Sequence, residues 1–186
     1  MPTDDGKIEI HAFDPNVHER EDFDCGVPRL NNFIRLSARK QQRSDITRVY
    51  VAVRAGRRAI LGYHSLNAYS FNADELRKLK PKATPPHGEL PAIYLSMIAV
   101  DIRHSGNRIG SMLLDHAKQR TLRVADAIGA HSMILDVVND GGEAATAMRT
   151  AWYVRHGFQP FPDTPAKMFL LIETIRRTQS EVENPR

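Results

Sequence analysis

Between an apolar run, Ala92 to Val100, and a long helical stripe stand Asp101 and the turn Ser105, Gly106, Asn107, Arg108, Ile109, Gly110. A strand that passes through a glycine turn into a helix N-terminus is a ready anion site. Successive main-chain N–H groups point outward there, and the helix dipole favours negative charge. A pyrophosphate suits that chemistry. The same spacing also suits a plain turn, since glycines enter helix starts merely to adopt positive φ, and both readings stay open on spacing alone. Two nucleotide signatures are excluded. The chain has no G-x-x-x-x-G-K-[ST] loop for a nucleoside triphosphate and no G-x-G-x-x-G followed by an acid for a dinucleotide.

Other reactive residue types lack a pattern. Cys25 is the single cysteine, so no intramolecular disulfide is possible, and no spacing ties it to a histidine. A buried or inert thiol is the expectation. His11, His18, His64, His87, His104, His116, His131 and His156 show no H-E-x-x-H or Cys/His pairing, so no metal site is predicted. The net charge of +4 favours approach of an anionic partner, such as a nucleotide or RNA. The basic clusters at Arg35 to Arg43, Arg54 to Arg58, Arg77 to Lys82 and Arg176 to Arg177 read singly as solvated faces. Met1 to Glu9 carries Asp4, Asp5 and Glu9 without an apolar signal core, and no window has the length of a membrane span. A soluble, cytoplasmic protein with no membrane partner is expected.

The elements that must position the turn follow from periodicity. Lys7 to Phe13 alternates and predicts a strand; Val27, Leu30, Ile34 and Ala38 predict a helix ending near Ser44, with Pro28 in its first turn. Arg48 to Arg54 and Ala59 to Phe71 predict a hairpin turning at Ala55 and Gly56. A short helical piece, Ala73 to Leu79, precedes a proline-rich loop up to Pro91. Ala92 to Val100 predicts a buried central strand, and Ile109, Leu113, Ala117, Val124 and Ile128 predict a helix stopped by Gly129. Met133 to Val138 predicts a buried strand, Gly142 to His156 a helix, Lys167 to Glu173 a last strand, and the residues after Arg176 a polar tail. At 186 residues this is one domain, 1–175, with the tail at 176–186. The order β, α, β, β, (α), β, α, β, α, β, β implies a partly antiparallel sheet with helices on both faces.

Taken together, the element order and the Ser105 to Gly110 turn resemble the GNAT acetyltransferase superfamily over most of the chain. In that family the loop after the fourth strand reads [RQ]-x-x-G-x-[GA]. Here Ser105 stands where Arg or Gln is typical and Arg108 where the middle Gly is typical, while Gly110 is kept. Ala151 to Phe158 (AWYVRHGF) is similar to the family's F-Y-x-x-x-G-F segment. The resemblance implies an α/β (α+β mixed) GNAT fold, with a central mixed, mostly antiparallel sheet splayed at the cofactor cleft. It implies acetyl-CoA as co-substrate and no metal. The diphosphate is expected on the amides of Ser105, Gly106, Asn107, Arg108, Ile109 and Gly110. The pantetheine arm is expected to pair with Met97, Ile98, Ala99 and Val100 like an added strand, with Asn139 a further cofactor contact. It also implies an insertion of about two helical turns between Asn139 and Tyr153.

The mechanism so implied is attack of a primary amine on the thioester carbonyl, with the oxyanion held by a main-chain N–H. A thiol titrates near about 8.5, so a placed proton donor assists its departure. The resemblance gives that role to Tyr153 and leaves Trp152 to packing.

A finer resemblance lies in Phe23, Asp24, Cys25, Gly26, Val27, Leu30, Asn31, Phe33 and Ile34, then Ala38, Gln41, Arg48 to Val51, Leu61, Gly62 and Tyr63. This F-D-[CS]-G-x-x-x-L-N-x-F-[IL] opening is similar to the GNAT toxins of type II toxin–antitoxin modules. It implies acetylation of the α-amine of aminoacyl-tRNA, a ribbon-helix-helix antitoxin as partner, and a homodimer. A housekeeping small-amine or protein N-acetyltransferase and a non-catalytic acyl-CoA-binding protein are the alternatives.

Overall fold

A computed structural model describes residues 6–183, with side chains to Glu181; Asp4, Asp5 and 184–186 lie outside the described residues. Seven strands, β1 (Ile8–Ala12), β2 (Arg48–Arg54), β3 (Gly62–Asn72), β4 (Glu89–Val100), β5 (Ser132–Asp136), β6 (Gln159–Pro160) and β7 (Lys167–Leu171), form a sheet in the order β1-β2-β3-β4-β5-β7-β6. The β4–β5 ladder is parallel and the β1–β2, β2–β3, β5–β7 and β6–β7 ladders are antiparallel. The sheet is therefore mixed and mostly antiparallel, as the element order implied. By contact density the chain divides into two compact units. One comprises residues up to Asn67 with Ser96–Ala117, the other Ala68–Leu95 with Lys118 onward.

In the first unit, Val49, Val51 and Val53 of β2 are all buried, as β-branched residues on a pleated surface should be. The helical segment is α1 (Pro28–Asn32), a π turn (Phe33–Ser37) and α2 (Ala38–Arg43). Its predicted stripe of Val27, Leu30, Ile34 and Ala38 is buried. The π turn arises because the Ala38 N–H donates to Phe33 O, five residues back. Tyr63 is fully buried beneath α1. Its hydroxyl donates to Leu30 O at 2.7 Å, and the Phe23 and Phe33 rings lie 5.4 and 5.8 Å away. The predicted second arm of the hairpin starts late. Ala59 only bridges to Glu19, whose main chain takes N–H from Ile60 and donates to Arg58 O, so the regular strand begins at Gly62.

In the second unit, Phe71, Ala73, Leu76, Leu90, Ala92, Ile134, Phe161 and Phe169 form one core cluster. The Ala73–Leu79 piece is a 3₁₀ segment, capped reciprocally by Asn72 and Glu75 and broken at Arg77. Helix α3 (Ile109–Ile128) runs through both units and ends at Gly129 with φ 81°. Helix α4 (Gly142–Arg155) is continuous, so most of the stretch between Asn139 and Tyr153 is helical. The predicted strand to Glu173 is corrected. β7 stops at Leu171 and α5 (Ile172–Glu183) follows. The 3.6-residue period wins there, because Ile172 and Ile175, one turn apart, are both buried while Glu173 and Arg176 are exposed.

Candidate functional site

The strand-to-helix corner is held from below by a buried carboxylate. Asp101, fully enclosed, ends β4 and caps a 3₁₀ turn at Ile102–His104. Its Oδ1 accepts the N–H of Arg103 (2.9 Å) and Arg103 Nε (2.8 Å); its Oδ2 accepts Arg103 Nη2 (2.7 Å) and the N–H of Asp24 (3.1 Å). The guanidinium of Arg103 and these N–H groups pull the Asp101 carboxyl down to about 2. The Ile102 N–H donates back to Asp24 O at 2.8 Å, and Arg103 Nη2 reaches Asp22 O at 2.8 Å. Asp24 is itself set by its Oδ1, which accepts from Gly26 N–H (2.8 Å) and Asn31 Nδ2 (2.7 Å), while Asn31 Oδ1 accepts from Cys25 N–H (2.9 Å). The F-D-C-G-x-x-x-L-N stretch is thus a brace for the corner. The Cys25 thiol is pushed up by burial and stays protonated.

Above this brace the turn is open. Ser105, Gly106, Asn107 and Arg108 are exposed, Ile109 is buried as the first anchor of α3, and Gly110 is half-buried. A Cβ built on Gly106 would meet nothing within 4 Å. Met112 N–H, donating to Arg108 O at 3.0 Å, closes the first helical turn, and the Ser105 N–H is taken up by Ile102 O at 3.3 Å, so the predicted diphosphate donors reduce to the amides of Gly106 to Gly110 at the helix N-terminus. Gly106 has φ 82° and Arg108 φ 59°. Arg108 therefore keeps the left-handed conformation for which glycine is typical at that place. Its side chain is carried outward on a strained backbone.

Strand β4 approaches the corner closely at one point. A Cβ on Gly62 would lie 2.8 Å from Leu113 Cδ1 and 2.9 Å from Ala99 O, so glycine alone lets β3, β4 and α3 meet there. The apolar run Ala92 to Val100 predicted a buried central strand. Ala92, Ile93 and Leu95 are buried, but Met97, Ile98 and Val100 are only half-buried, with Ala99 between them at 7% exposure. The β4–β5 ladder ends at Tyr94↔Ile134, which leaves residues 95–100 beyond its last pair. Among the residues singled out from sequence, Met97 to Val100 and Ser105 to Gly110 are brought together in the first unit.

Asn139 and Tyr153 belong to the second unit. Asn139 is exposed in the loop after β5 and lines a shallow, mainly apolar groove along α4 with Glu143, Thr146, Thr150 and Val154. That loop is tied to α4 by Arg149, whose Nη1 donates to Val138 O (2.8 Å) and Asp140 O (2.5 Å). Gly141 and Gly142, with φ 90° and 85°, make the entry to the helix. Tyr153 is buried between Trp152 (5.0 Å) and Phe158 (5.7 Å), and burial pushes its hydroxyl well above the ordinary tyrosine value. It holds a proton at any physiological pH. Trp152 packs on Tyr153 and His156.

Sequence reasoning passed over Asp101, Asn31 and Gly62 as parts of the site's frame. The available signal was an acid between an apolar run and a glycine turn, but its partner lies 77 residues away. Among the described residues no group of three or more His, Cys, Asp or Glu could hold a metal ion, and no helix is long and apolar enough to cross a membrane.

No protein-family model matches the chain. It is 38% identical over 174 residues, covering 94% of this chain and 96% of the other, to "Probable toxin TacT" of Sinorhizobium fredii. It is 29% identical over 155 residues, 83% of this chain and 86% of the other, to a "tRNA-acetylating toxin" of Mycobacterium tuberculosis. Among solved structures, AtaT complexed with acetyl-methionyl-tRNAfMet superposes with a TM-score of 0.81 at 25% identity, covering 93% and 99% of the two chains. AtaTR bound with AcCoA gives 0.77 at 24% over 92% and 98%, a likeness of fold. The chain belongs to the GNAT toxins of toxin–antitoxin modules.

Proposed function

We propose that this protein is an acetyl-CoA-dependent N-acetyltransferase that modifies the α-amine of aminoacyl-tRNA and acts as the toxin of a type II module. The observation that carries this reading is the open, braced corner at Ser105 to Gly110, in a chain with one relative named a tRNA-acetylating toxin and another named a probable toxin. Exposed amides at a helix N-terminus fit a diphosphate, and the empty space over Gly106 lets it approach. The half-buried edge of Met97 to Val100 suits pairing with an extended arm. Asn139 is a further contact for that arm.

Acetyl-CoA supplies the thioester. A main-chain N–H of β4 donates to the carbonyl oxygen as negative charge grows there. Tyr153, protonated at neutral pH, hands its proton to the departing sulfur and is reprotonated from solvent afterwards. RNA as the acceptor's carrier is supported by the helical segment 28–43, which bears Arg29, Arg39, Lys40 and Arg43 on its exposed surface and contains no acid. The same reading makes the protein cytoplasmic, a homodimer, and the partner of a ribbon-helix-helix antitoxin.

Calorimetry with acetyl-CoA tests the first step: saturable binding is expected, and its absence removes the enzyme reading. Induced expression is expected to arrest growth while labelled acetyl groups accumulate on charged tRNA. Normal growth at good expression, with label on small amines or proteins instead, assigns the chain to the housekeeping class. Binding without transfer leaves only an acyl-CoA-binding protein.

A further inference from the structure

The first unit contains a chain of polar side chains that the transfer reaction described above does not use. Thr47 and Ser65 are buried, and Asn67 and Ser96 are half-buried. Asn67 Nδ2 donates to Ile46 O at 2.7 Å, which sets the amide so that Oδ1 faces Thr47 Oγ1 (3.2 Å) and Ser96 Oγ (2.6 Å). An amide oxygen only accepts, so the single proton of Ser96 is committed to Asn67. The 2.6 Å bond also wins over the 3.4 Å approach of Ser96 Oγ to Ser65 O. It follows that the 2.7 Å contact between the two serines is donated by Ser65. Ser96 is left as an oriented acceptor with one lone pair that takes no donor among the described residues.

Hydroxyls buried in a sheet are costly unless bonded, and a network in which each proton is committed holds each member in one rotamer. Its outermost member stands immediately before Met97. The location matters because the corner lies at the C-terminal end of β4. An arm anchored there and paired with Val100, Ala99, Ile98 and Met97 runs backward along the strand, about 13 Å at strand rise. Its reactive end therefore arrives at Ser96, not at Asp101.

We infer that Ser96, positioned by Asn67 and Ser65, is a catalytic residue that accepts a hydrogen bond from the N–H of the acceptor amine. This rests on the proposed transferase reading. As the nitrogen lone pair forms the C–N bond, the nitrogen becomes cationic and its N–H a stronger donor. The bond to Ser96 therefore strengthens toward the transition state, while the proton itself leaves later to solvent. Ser96 takes no proton.

The test uses the full chain, labelled acetyl-CoA and a charged tRNA. Ser96→Ala is expected to lower kcat/KM for the aminoacyl-tRNA about tenfold, mainly in kcat, because one bond to a developing charge is lost. The Kd for acetyl-CoA is expected to stay within about twofold, since the bond inferred for Ser96 is to the acceptor amine and the arm is held by Met97 to Val100 and the corner. Ser96→Thr restores turnover and Ser96→Val, of equal shape without the hydroxyl, does not; this pair decides the matter if alanine disturbs folding. Equal rates for Thr and Val, or a parallel loss of acetyl-CoA binding, overturn the inference and leave the network purely structural. If the wild-type protein transfers no acetyl to charged tRNA, the functional reading itself fails, and this inference with it.

Discussion

Asp24 and Asp101, 77 residues apart, clasp each other through the main chain: Asp101 Oδ2 accepts the Asp24 N–H at 3.1 Å, and Asp24 O accepts the N–H next to Asp101 at 2.8 Å. Two carboxylates sit side by side without repulsion dominating, because each is neutralised by donors of its own. Arg103 serves Asp101, and Gly26 with Asn31 serves Asp24. The clasp joins the family-like N-terminal motif to the proposed diphosphate corner.

Because the folded carboxyl of Asp101 is lowered to about 2 from an ordinary value of 3.8, its stabilisation is complete above pH 4 and is lost as pH falls toward 2. The shift sets an upper limit of about 2 kcal/mol, reduced by solvent screening of the exposed Arg103 partner. Asp101→Asn is expected to lower stability by that order at pH 7 in denaturant titrations and to weaken acetyl-CoA binding. It should also flatten the acid limb between pH 4 and 2; an unchanged acid limb contradicts the role given to this carboxylate.

Arg108→Gly separates strain from binding. A left-handed non-glycine residue costs about 1 kcal/mol, so the variant is expected to melt no lower than wild type. If the guanidinium helps to hold the diphosphate, acetyl-CoA affinity falls, and the gap between variant and wild type narrows at high salt. Equal affinity at low salt would assign Arg108 to solvent.

Gly62→Ala places a methyl against Ala99 O, a main-chain atom that moves only if the strand moves. A loss of about 1 to 3 kcal/mol is expected from overpacking, together with weaker acetyl-CoA binding, since Met97 to Val100 shift with it. Thermal melts and calorimetry on the same variant check both.

Tyr153→Phe removes a buried hydroxyl while keeping the ring contacts with Trp152 and Phe158. Turnover is expected to fall about a hundredfold or more, with acetyl-CoA affinity retained. Unaltered turnover would take the proton donor away from this residue.

Arg149→Ala frees the carbonyls of Val138 and Asp140. Limited proteolysis is expected to cut faster around Gly141 and Gly142, and saturating acetyl-CoA is expected to slow that cleavage if Asn139 touches the arm.

What the amino-acid sequence determined by itself was local: the strand at β4, the glycine turn, the stripe of α3 and the helix bearing Tyr153. Each is written in a period of two or 3.6 residues or in a turn residue, so neighbours along the chain suffice to reveal it. The same locality explains the misplaced ends. Ile172 and Ile175 continue equally well as strand or helix until their burial decides, and a π turn inserts one residue without breaking an apolar stripe. Only the tertiary structure decided that Asp24 meets Asp101, that Gly62 makes room for Ala99 and α3, and that Thr47, Ser65, Asn67 and Ser96 form one hydrogen-bonded chain. Those contacts depend on which strands become neighbours. Strands such as β2 and β4 carry interchangeable apolar patterns, so their pairing is chosen by the free energy of the whole packed core and not by any segment of it.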